Sequence, residues 1–426
     1  MSDVLPDDCA ASRHFLDATT LHSLAPWLAA NRTFSLEQAT AHFRKINGSH
    51  LLAPVLAHNG SLYLHFPLHP DVHVLPFQRM IHDLRIFAER YPELSFEIIL
   101  GMHDDPQSNW GSVRGDALPV WGFNRNRFGG DILIPHHYVR PDQLCHDHAV
   151  DRSPPTSINA SLFHVPWAAR ERRLMGRFSH YCSGNREVLI NGNKVEHCPR
   201  SFFPLLAQKQ KHVAGVVLDV APTGNSTAAD GAPLLGGGYV PLAEFARARY
   251  VLVTDGQVGA GKFAHALALG SVVLRPTSVW TQFFEPALVP YVHFVPVWTN
   301  SEDDILGAIA ALEREPLLAA RIAAEGRRFS CHNLALHGRN CWWREAVRRY
   351  NALVTYRVTD ALLEERKRQF PMVKVTPELI RCNLPLGVPF ANICQYEGEP
   401  PGWEHSRPRE AAAAAAGATA AAGTGA

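Results

Sequence analysis

Two groups of residues in this chain are of a type and spacing that can do chemistry. The first surrounds a loop. The apolar, β-rich run Tyr250–Val253 reads as a buried strand, which Asp255-Gly256 break. The small-residue turn Gln257-Val258-Gly259-Ala260-Gly261 then leads into a helix from about Lys262 to Leu269, and a second buried strand, Ser271–Leu274, follows. Strand, Gly-rich turn, helix, strand is the parallel βαβ unit, which takes ligands at the carboxyl ends of its strands. Backbone N–H groups at such a helix start, with Lys262 beside them, make an anion site. Upstream, the basic stretch that holds Arg177 and Arg186 reads on its own as a solvated surface. The second group is a carboxylate. Asp104 follows the short buried strand Phe96–Leu100, within His103-Asp104-Asp105-Pro106. A carboxylate at a strand end facing a cleft can accept the proton of a hydroxyl as a new bond forms; the same residues also make an ordinary turn.

The 23 histidines raise the question of a metal, above all at Cys145-His146-Asp147-His148 and His136-His137. Zinc ligands come at spacings set by a helix or a tight knuckle. A C-H-D-H run in a polar stretch fits neither, so these read as exposed histidines and no metal is expected.

The elements that must position these groups alternate between helix and strand. The pattern predicts a helix and a short strand within Leu36–Leu56, a strand at Leu62–Phe66 and an amphipathic helix at Phe77–Tyr91. Strands follow at Phe96–Leu100, Leu118–Phe123 and Ile132–Ile134. Helix then strand, repeated, implies a parallel sheet covered on both faces. Gln143–Ile158 is polar and rich in Asp, His and Pro, as a linker would be, and a second α/β unit begins near Trp167. Within that unit Pro222–Gly238 reads as a flexible surface loop, Glu302–Phe329 as two short helices and Cys341–Val354 as another. Residues 1–30 show no clear period and are expected to cap the fold loosely. The resulting domains are 30–158, 159–350, an extension over 351–405 and an Ala-rich tail over 406–426, whose lack of aliphatic anchors reads as disorder.

With 426 residues and 46% hydrophobic content, the chain is long enough to give two such domains their own cores. A net charge of +1 excludes a protein built to lie on nucleic acid or an acidic membrane surface. No apolar run approaches the roughly 20 residues needed to span a bilayer. The start shows no basic region followed by an apolar stretch, so no secretory signal is read there. Eight scattered cysteines, none in a C-x-x-C pair, allow either disulfides or free thiols. Five N-x-[ST] sequons, at Asn31, Asn47, Asn59, Asn159 and Asn225, lean towards a glycosylated lumenal chain.

Four blocks, in order, resemble glycosyltransferase family 90, the protein O-glucosyltransferase and lipopolysaccharide-modifying family. They are Ile98–Pro106, Pro119–Tyr138, Trp167–Leu189 and the Asp255–Val297 segment, the last keeping Asp255, Gly256, Gly270, Ser271, Phe283, Phe284, Pro290, His293, Pro296 and Val297. Gly326, Phe329 and Trp343 complete the match, which covers about 77–350. The chain departs from the family pattern at His103 and Lys262, each in place of Arg, and at Phe178 for Gly. Ala260 stands for Ser, and Gln282 where members often carry Glu.

The resemblance implies a GT-B-like fold, two Rossmann-like parallel-sheet domains facing a cleft. It implies inverting transfer of a sugar, glucose or xylose, from a UDP-sugar to a hydroxyl on a protein or glycan acceptor. Asp104 takes the general-base position, and Asp131, Ile132 and Pro135 fall in a block expected to shape the acceptor side. Arg177, Ser179, Arg186 and the turn Gln257, Val258, Gly259, Ala260, Gly261 and Lys262 take the donor positions. No cofactor or metal is expected, since these cations and the helix start suffice for the diphosphate; no nucleic acid and no membrane span are expected either. By resemblance and sequons the chain belongs in the lumen of the endoplasmic reticulum or Golgi, the missing signal leaving the cytoplasm as the alternative. Because the departures cluster where chemistry should happen, an inactive member serving as a glycan-binding or scaffolding protein is the competing reading.

Overall fold

The first sheet, in the order β16-β2-β1-β3-β4-β5, comprises β1 (Leu52–His58), β2 (Ser61–Leu64), β3 (Phe96–Gly101), β4 (Val120–Gly122), β5 (Ile132–Leu133) and, from far along the chain, β16 (Val373–Lys374). Asn59 and Gly60, at φ of 47° and 75°, form the two-residue turn that closes the β1–β2 hairpin. An Asn-Gly pair reaches that left-handed backbone readily. β1 is antiparallel to β3, whereas β3, β4 and β5 are parallel. This sheet is therefore mixed rather than parallel throughout, because strands joined by a tight hairpin can only run antiparallel. The computed structural model describes residues 7–46, 49, 51–65, 74–101, 103, 105–115, 117–135, 141–145, 163, 165–179, 189–190, 193–194, 198–227, 231–370 and 372–376. Asp104, Arg186, His136-His137, His146–His148 and the Ala-rich tail lie outside the described residues.

The second sheet, in the order β15-β14-β13-β6-β10-β9, is built from β6 (Glu171–Phe178), β9 (His212–Val213), β10 (Val216–Pro222), β13 (Ala248–Leu252), β14 (Val272–Pro276) and β15 (Val295–Val297). All but β9 are parallel to their neighbours. The strand order reverses between β6 and β13, the place where an open α/β sheet opens a crevice for a ligand. Two small hairpins lie outside it, β7 (Leu189–Ile190) with β8 (Asn193–Lys194) and β11 (Ser226–Thr227) with β12 (Pro233–Leu234). The second corrects the expectation of a flexible loop over 222–238: Leu234 is buried, and Asn225 Oδ1 accepts the Gly236 N–H at 2.8 Å.

The helices are α1 (Asp7–Ala10), α2 (Arg13–Ala29), α3 (Leu36–Ile46), α4 (Val74–Arg90), α5 (Trp110–Arg114) and α6 (Pro199–Lys209), followed by α7 (Leu242–Arg247), α8 (Phe263–Ala268), α9 (Asp304–Arg314), α10 (Pro316–Asn333), α11 (Leu336–Asn351) and α12 (Asp360–Gln369). Phe203 of α6 and Ile305 and Ile309 of α9 join Leu174, Val220, Leu252 and Leu274 in a core on one face of the second sheet. Phe263 of α8 and Phe329 of α10 pack on the other face with Met175, Val251 and Val273. That second core does not stop at the sheet. It continues through Phe283 and Trp342, whose rings meet edge to face at 5.4 Å, to Trp343, which stacks on Trp121 of β4 at 5.7 Å. One apolar core thus underlies both sheets.

The expectation that the first 30 residues cap the fold loosely is overturned. α2 is a 17-residue helix that buries Phe15, Leu16, Leu24 and Trp27. Its polar look hides the burial: Thr19 and Thr20 donate their hydroxyls to the carbonyls of Phe15 and Leu16 at 2.7 and 2.6 Å, so both enter the core satisfied. The cysteine question is settled as well. Cys9 pairs with Cys341 and Cys145 with Cys331, Cys198 is also disulfide-bonded, and no described cysteine is free. Among the described residues no helix is long and apolar enough to cross a membrane.

Candidate functional site

The carboxyl ends of β6 and β13 mark the site. β13 leads through Val253 and Thr254 into Asp255, whose carboxylate is buried and closes the following turn on itself: Oδ1 accepts the Ala260 N–H at 2.8 Å and lies 2.7 Å from the Arg275 guanidinium on β14. The Gly256 N–H donates to the Val258 carbonyl at 3.1 Å. Gln282, buried, donates its amide to the Ala260 carbonyl at 3.0 Å. The turn is therefore a rigid, cross-braced shelf, but two of its N–H groups are already engaged within it. α8 is only six residues long. Its macrodipole is correspondingly short, so side-chain cations rather than the helix start dominate the local positive potential.

Within the shelf, Val258 and Ala260 are buried, Gly259 and Gly261 are half-buried, and Gln257 and Lys262 are exposed. A Cβ on Gly259 would come within 2.7 Å of Asn124 Oδ1, so only glycine lets the shelf lie this close to the end of β4. Lys262 caps α8 and sends Nζ to the Arg177 carbonyl at 3.2 Å. Partial burial and then the nearby Arg200 charge push its pKa below the ordinary lysine value. Ser179 follows β6 directly and is exposed. Arg177, buried on β6, donates to the Asp219 carbonyl at 2.8 Å and forms an ion pair with the Asp219 carboxylate. A Cβ on Gly237 would lie 2.5 Å from Arg177 Nε, so the chain after β12 covers this pair. The structure thus brings Ser179, Lys262 and the 257–261 turn around one crevice, with Arg177 beneath it and already partnered. Gly270 and Ser271, at the other end of the βαβ unit, brace the backbone: Gly270 has φ 69°, and the Ser271 hydroxyl donates to the Ala248 carbonyl at 2.8 Å while accepting from Arg170 at 2.9 Å.

The first sheet faces this shelf with its own carboxyl ends. Arg125, just beyond β4, exchanges backbone hydrogen bonds with Thr281 at 3.0 and 2.7 Å. Gln257 Nε2 donates to Asp105 Oδ2 at 3.3 Å, joining the 257–261 turn to the segment that follows β3. Asp105, missed in the sequence, is the neighbour of Asp104. That segment is held by Asp131, fully buried beside β5, which accepts the N–H groups of Gln107 and Ser108 at 2.8 and 2.6 Å and the Ser108 hydroxyl. Gly122 leaves it room, since a Cβ there would sit 2.5 Å from Asp131 Oδ2.

Burial pushes the Asp131 carboxyl up to about 6, against the pull of Ser108, Gln107 and Arg125. A folded-state pKa above the unfolded value contributes stability below about pH 4 that is lost as pH rises through about 6. Between those limits the native protein should lose up to about 3 kcal/mol that Asp131→Asn does not lose. Denaturant titrations of both proteins at the two ends of this range measure the difference, and parallel pH slopes would contradict it.

Two further points concern metals. Cys145 is oxidised and so is no ligand. Cys9, His337 and Cys341 converge elsewhere, but the two sulfurs are bonded to each other, which removes the thiolates a metal would need.

Arg200 is the cation that sequence reasoning missed. It stands in the first turn of α6, after Pro199, and reaches the crevice from the face opposite α8. The available signal was only a basic residue beside Pro199 at the start of an apolar helix.

A doubly wound sheet carrying a Gly-rich, cation-flanked shelf at its switch point defines an α/β protein with a ligand crevice at that point. The family model for Glycosyl transferase family 90 matches residues 227–384. Over 120 residues, 28% of this chain, it is 28% identical to protein O-glucosyltransferase 1 of Rattus norvegicus and 32% identical to the O-glucosyltransferase rumi homolog of Anopheles gambiae. These matches span 30% of each relative. A longer match, to O-glucosyltransferase rumi of Drosophila melanogaster, is 24% identical over 286 residues, 65% of this chain and 64% of the relative.

Proposed function

We propose that this chain is an inverting glycosyltransferase that moves a sugar, glucose or xylose, from a UDP-sugar to a hydroxyl on a protein or glycan. One observation supports this reading most: the donor shelf and the segment after β3 meet through Gln257 and Asp105. The reacting parts of such a transfer would lie across that join. Asp104 accepts the proton of the acceptor hydroxyl while the oxygen attacks the anomeric carbon from the face opposite the diphosphate. The bond from that carbon to the β-phosphate oxygen breaks, its electron pair leaves with UDP, and the proton rests on Asp104. Ser179, Arg186, Lys262 and the 257–261 turn hold the UDP, with Arg177 supporting Lys262 from below. Cations in this number can neutralise a diphosphate without a divalent metal.

Calorimetric titration with UDP and UDP-sugars, with and without chelator, tests the reading. Micromolar binding that chelator leaves intact is expected. A folded chain that binds no UDP would instead favour the glycan-binding or scaffolding alternative, which the Ala260 and Lys262 substitutions motivate.

A secretory-lumen location belongs to the same proposal, supported by the disulfides, which persist in oxidising compartments. Of the sequon residues, Asn31 and Asn59 are exposed at turns and Asn225 is exposed just before β11, while Asn47 and Asn159 lie outside the described residues. Chain isolated from its own cells should gain mobility on a gel after treatment with peptide N-glycosidase; unchanged mobility would argue against the lumen.

A further inference from the structure

The charges at the crevice are not evenly compensated. Arg177 is paired with Asp219, and Arg275 with Asp255 and Glu285. Among the described residues, Arg200 and Lys262 have no carboxylate within ion-pair distance. Lys262 is a point charge at the edge. Arg200 is a fork laid across the crevice itself: Nη1 donates to the Ser179 carbonyl at 2.8 Å, after β6, and Nη2 to the Thr254 carbonyl at 3.2 Å, after β13. Its guanidinium therefore spans the two strand ends between which the sheet order reverses. Those bonds use two of its five N–H donors. Nε is buried and has no hydrogen-bond partner among the described residues. Gly256 makes room for the fork, since a Cβ there would meet it at 2.8 to 2.9 Å. The carbon of the guanidinium also lies 5.7 Å from the Phe178 ring centre. Burial lowers the pKa to about 10, with Asp255 opposing and Arg275 adding to the fall, so the group stays charged at neutral pH.

Resting on the donor reading above, we propose that Arg200 is a donor-binding residue that grips the diphosphate of the UDP-sugar. It supplies from α6 the guanidinium fork that the resemblance places at position 262, where this chain has lysine. Ala260 has likewise lost the hydroxyl of the family pattern, so the α6 side of the crevice adds the fork that the α8 side, with Lys262, lacks. A fork on a diphosphate gives two parallel, charge-assisted bonds that a lysine cannot. The leaving β-phosphate gains charge as the sugar departs, so Arg200 should matter to turnover as well as to affinity.

The test is titration of the full chain with UDP, and with uridine by saturation-transfer NMR, for the native protein, Arg200→Gln, Arg200→Lys and Gly256→Ala. Arg200→Gln should weaken UDP by about 10- to 100-fold while uridine binding is kept, and Arg200→Lys should recover part of the loss. Gly256→Ala, which displaces the fork without removing it, should fall between, and it carries the test if Arg200→Gln does not fold. Native-like UDP affinity in folded Arg200→Gln, or equal loss of uridine and UDP, overturns the assignment while leaving the donor reading in place. Absence of UDP binding by the native chain overturns both.

Discussion

Asp104→Asn should lower sugar transfer by about 10²- to 10⁴-fold while leaving UDP affinity within about twofold. Asparagine matches aspartate in shape but cannot take up the hydroxyl proton, so the loss falls on turnover and not on donor binding. The comparison that gives this force is Asp105→Asn. Asp105 accepts from Gln257 Nε2 at 3.3 Å, and its own N–H donates to His103 Nδ1 at 3.1 Å, so it ties the segment after β3 to the donor shelf. Its loss should weaken UDP and acceptor alike, with a smaller effect on the rate at saturation. Transfer is read as UDP release in the presence of an acceptor, and UDP affinity by calorimetry. Retained transfer in Asp104→Asn removes that residue from the mechanism. Loss of UDP binding in the same variant would make it a shaping residue rather than a base. If the base assignment holds, the acid limb of the native rate profile should vanish with the substitution.

How far the sequence discloses this site depends on how far apart its parts lie. The βαβ unit is local: Tyr250–Val253, Asp255-Gly256 and Ser271–Leu274 fall within one short stretch, and the structure builds strand, turn, helix and strand there. The Asn59-Gly60 hairpin, which the sequence analysis passed over, is equally local, since turn chemistry needs only its two residues. What could not be read is long-range. Arg200 serves the crevice only because α6 returns to the ends of β6 and β13, which lie 21 and 54 residues away in the chain. Glu97 sits inside a strand that reads as apolar, buried because Arg366, 269 residues later, pairs with it. α2 escaped notice because hydrophobic period is the main signal for a helix, and its buried threonines and serine blur that period. The part Asp255 plays is long-range too: a carboxylate beside a proposed diphosphate would repel it, but here Arg275 neutralises it and the backbone of Ala260 uses it as a brace.

Arg339→Met should cost about 3–5 kcal/mol, a large share of the roughly 5–15 kcal/mol that stabilises a typical domain. Arg339, on α11, is fully buried; Nε donates to Asp83 of α4 at 2.8 Å and Nη1 to Asp142 at 3.0 Å and to the Leu334 carbonyl at 2.7 Å. Methionine fills much the same volume, so the cost comes from the charges left behind, above all Asp83, which is itself buried. That argument has a sharp corollary. Removing both charges in Arg339→Met/Asp83→Leu should restore much of the lost stability, because a buried pair replaced as a unit leaves no orphaned ion. Denaturant unfolding of the two variants and of Asp83→Leu completes the cycle, and a double variant no better than Arg339→Met would locate the cost in packing instead. The effect should reach the crevice as well. Asp142 belongs to the turn Pro141–Leu144, which continues into Cys145 and its disulfide to Cys331 of α10, and Arg327 of α10 donates both to the Leu144 carbonyl at 3.0 Å and to the Ala268 carbonyl at the end of α8. Loosening Asp142 therefore loosens the support behind the helix that carries Lys262. A modest fall in UDP affinity should accompany the loss of stability in Arg339→Met and be absent from a surface control such as Arg328→Met, whose partner Glu325 lies in the same exposed stretch of α10.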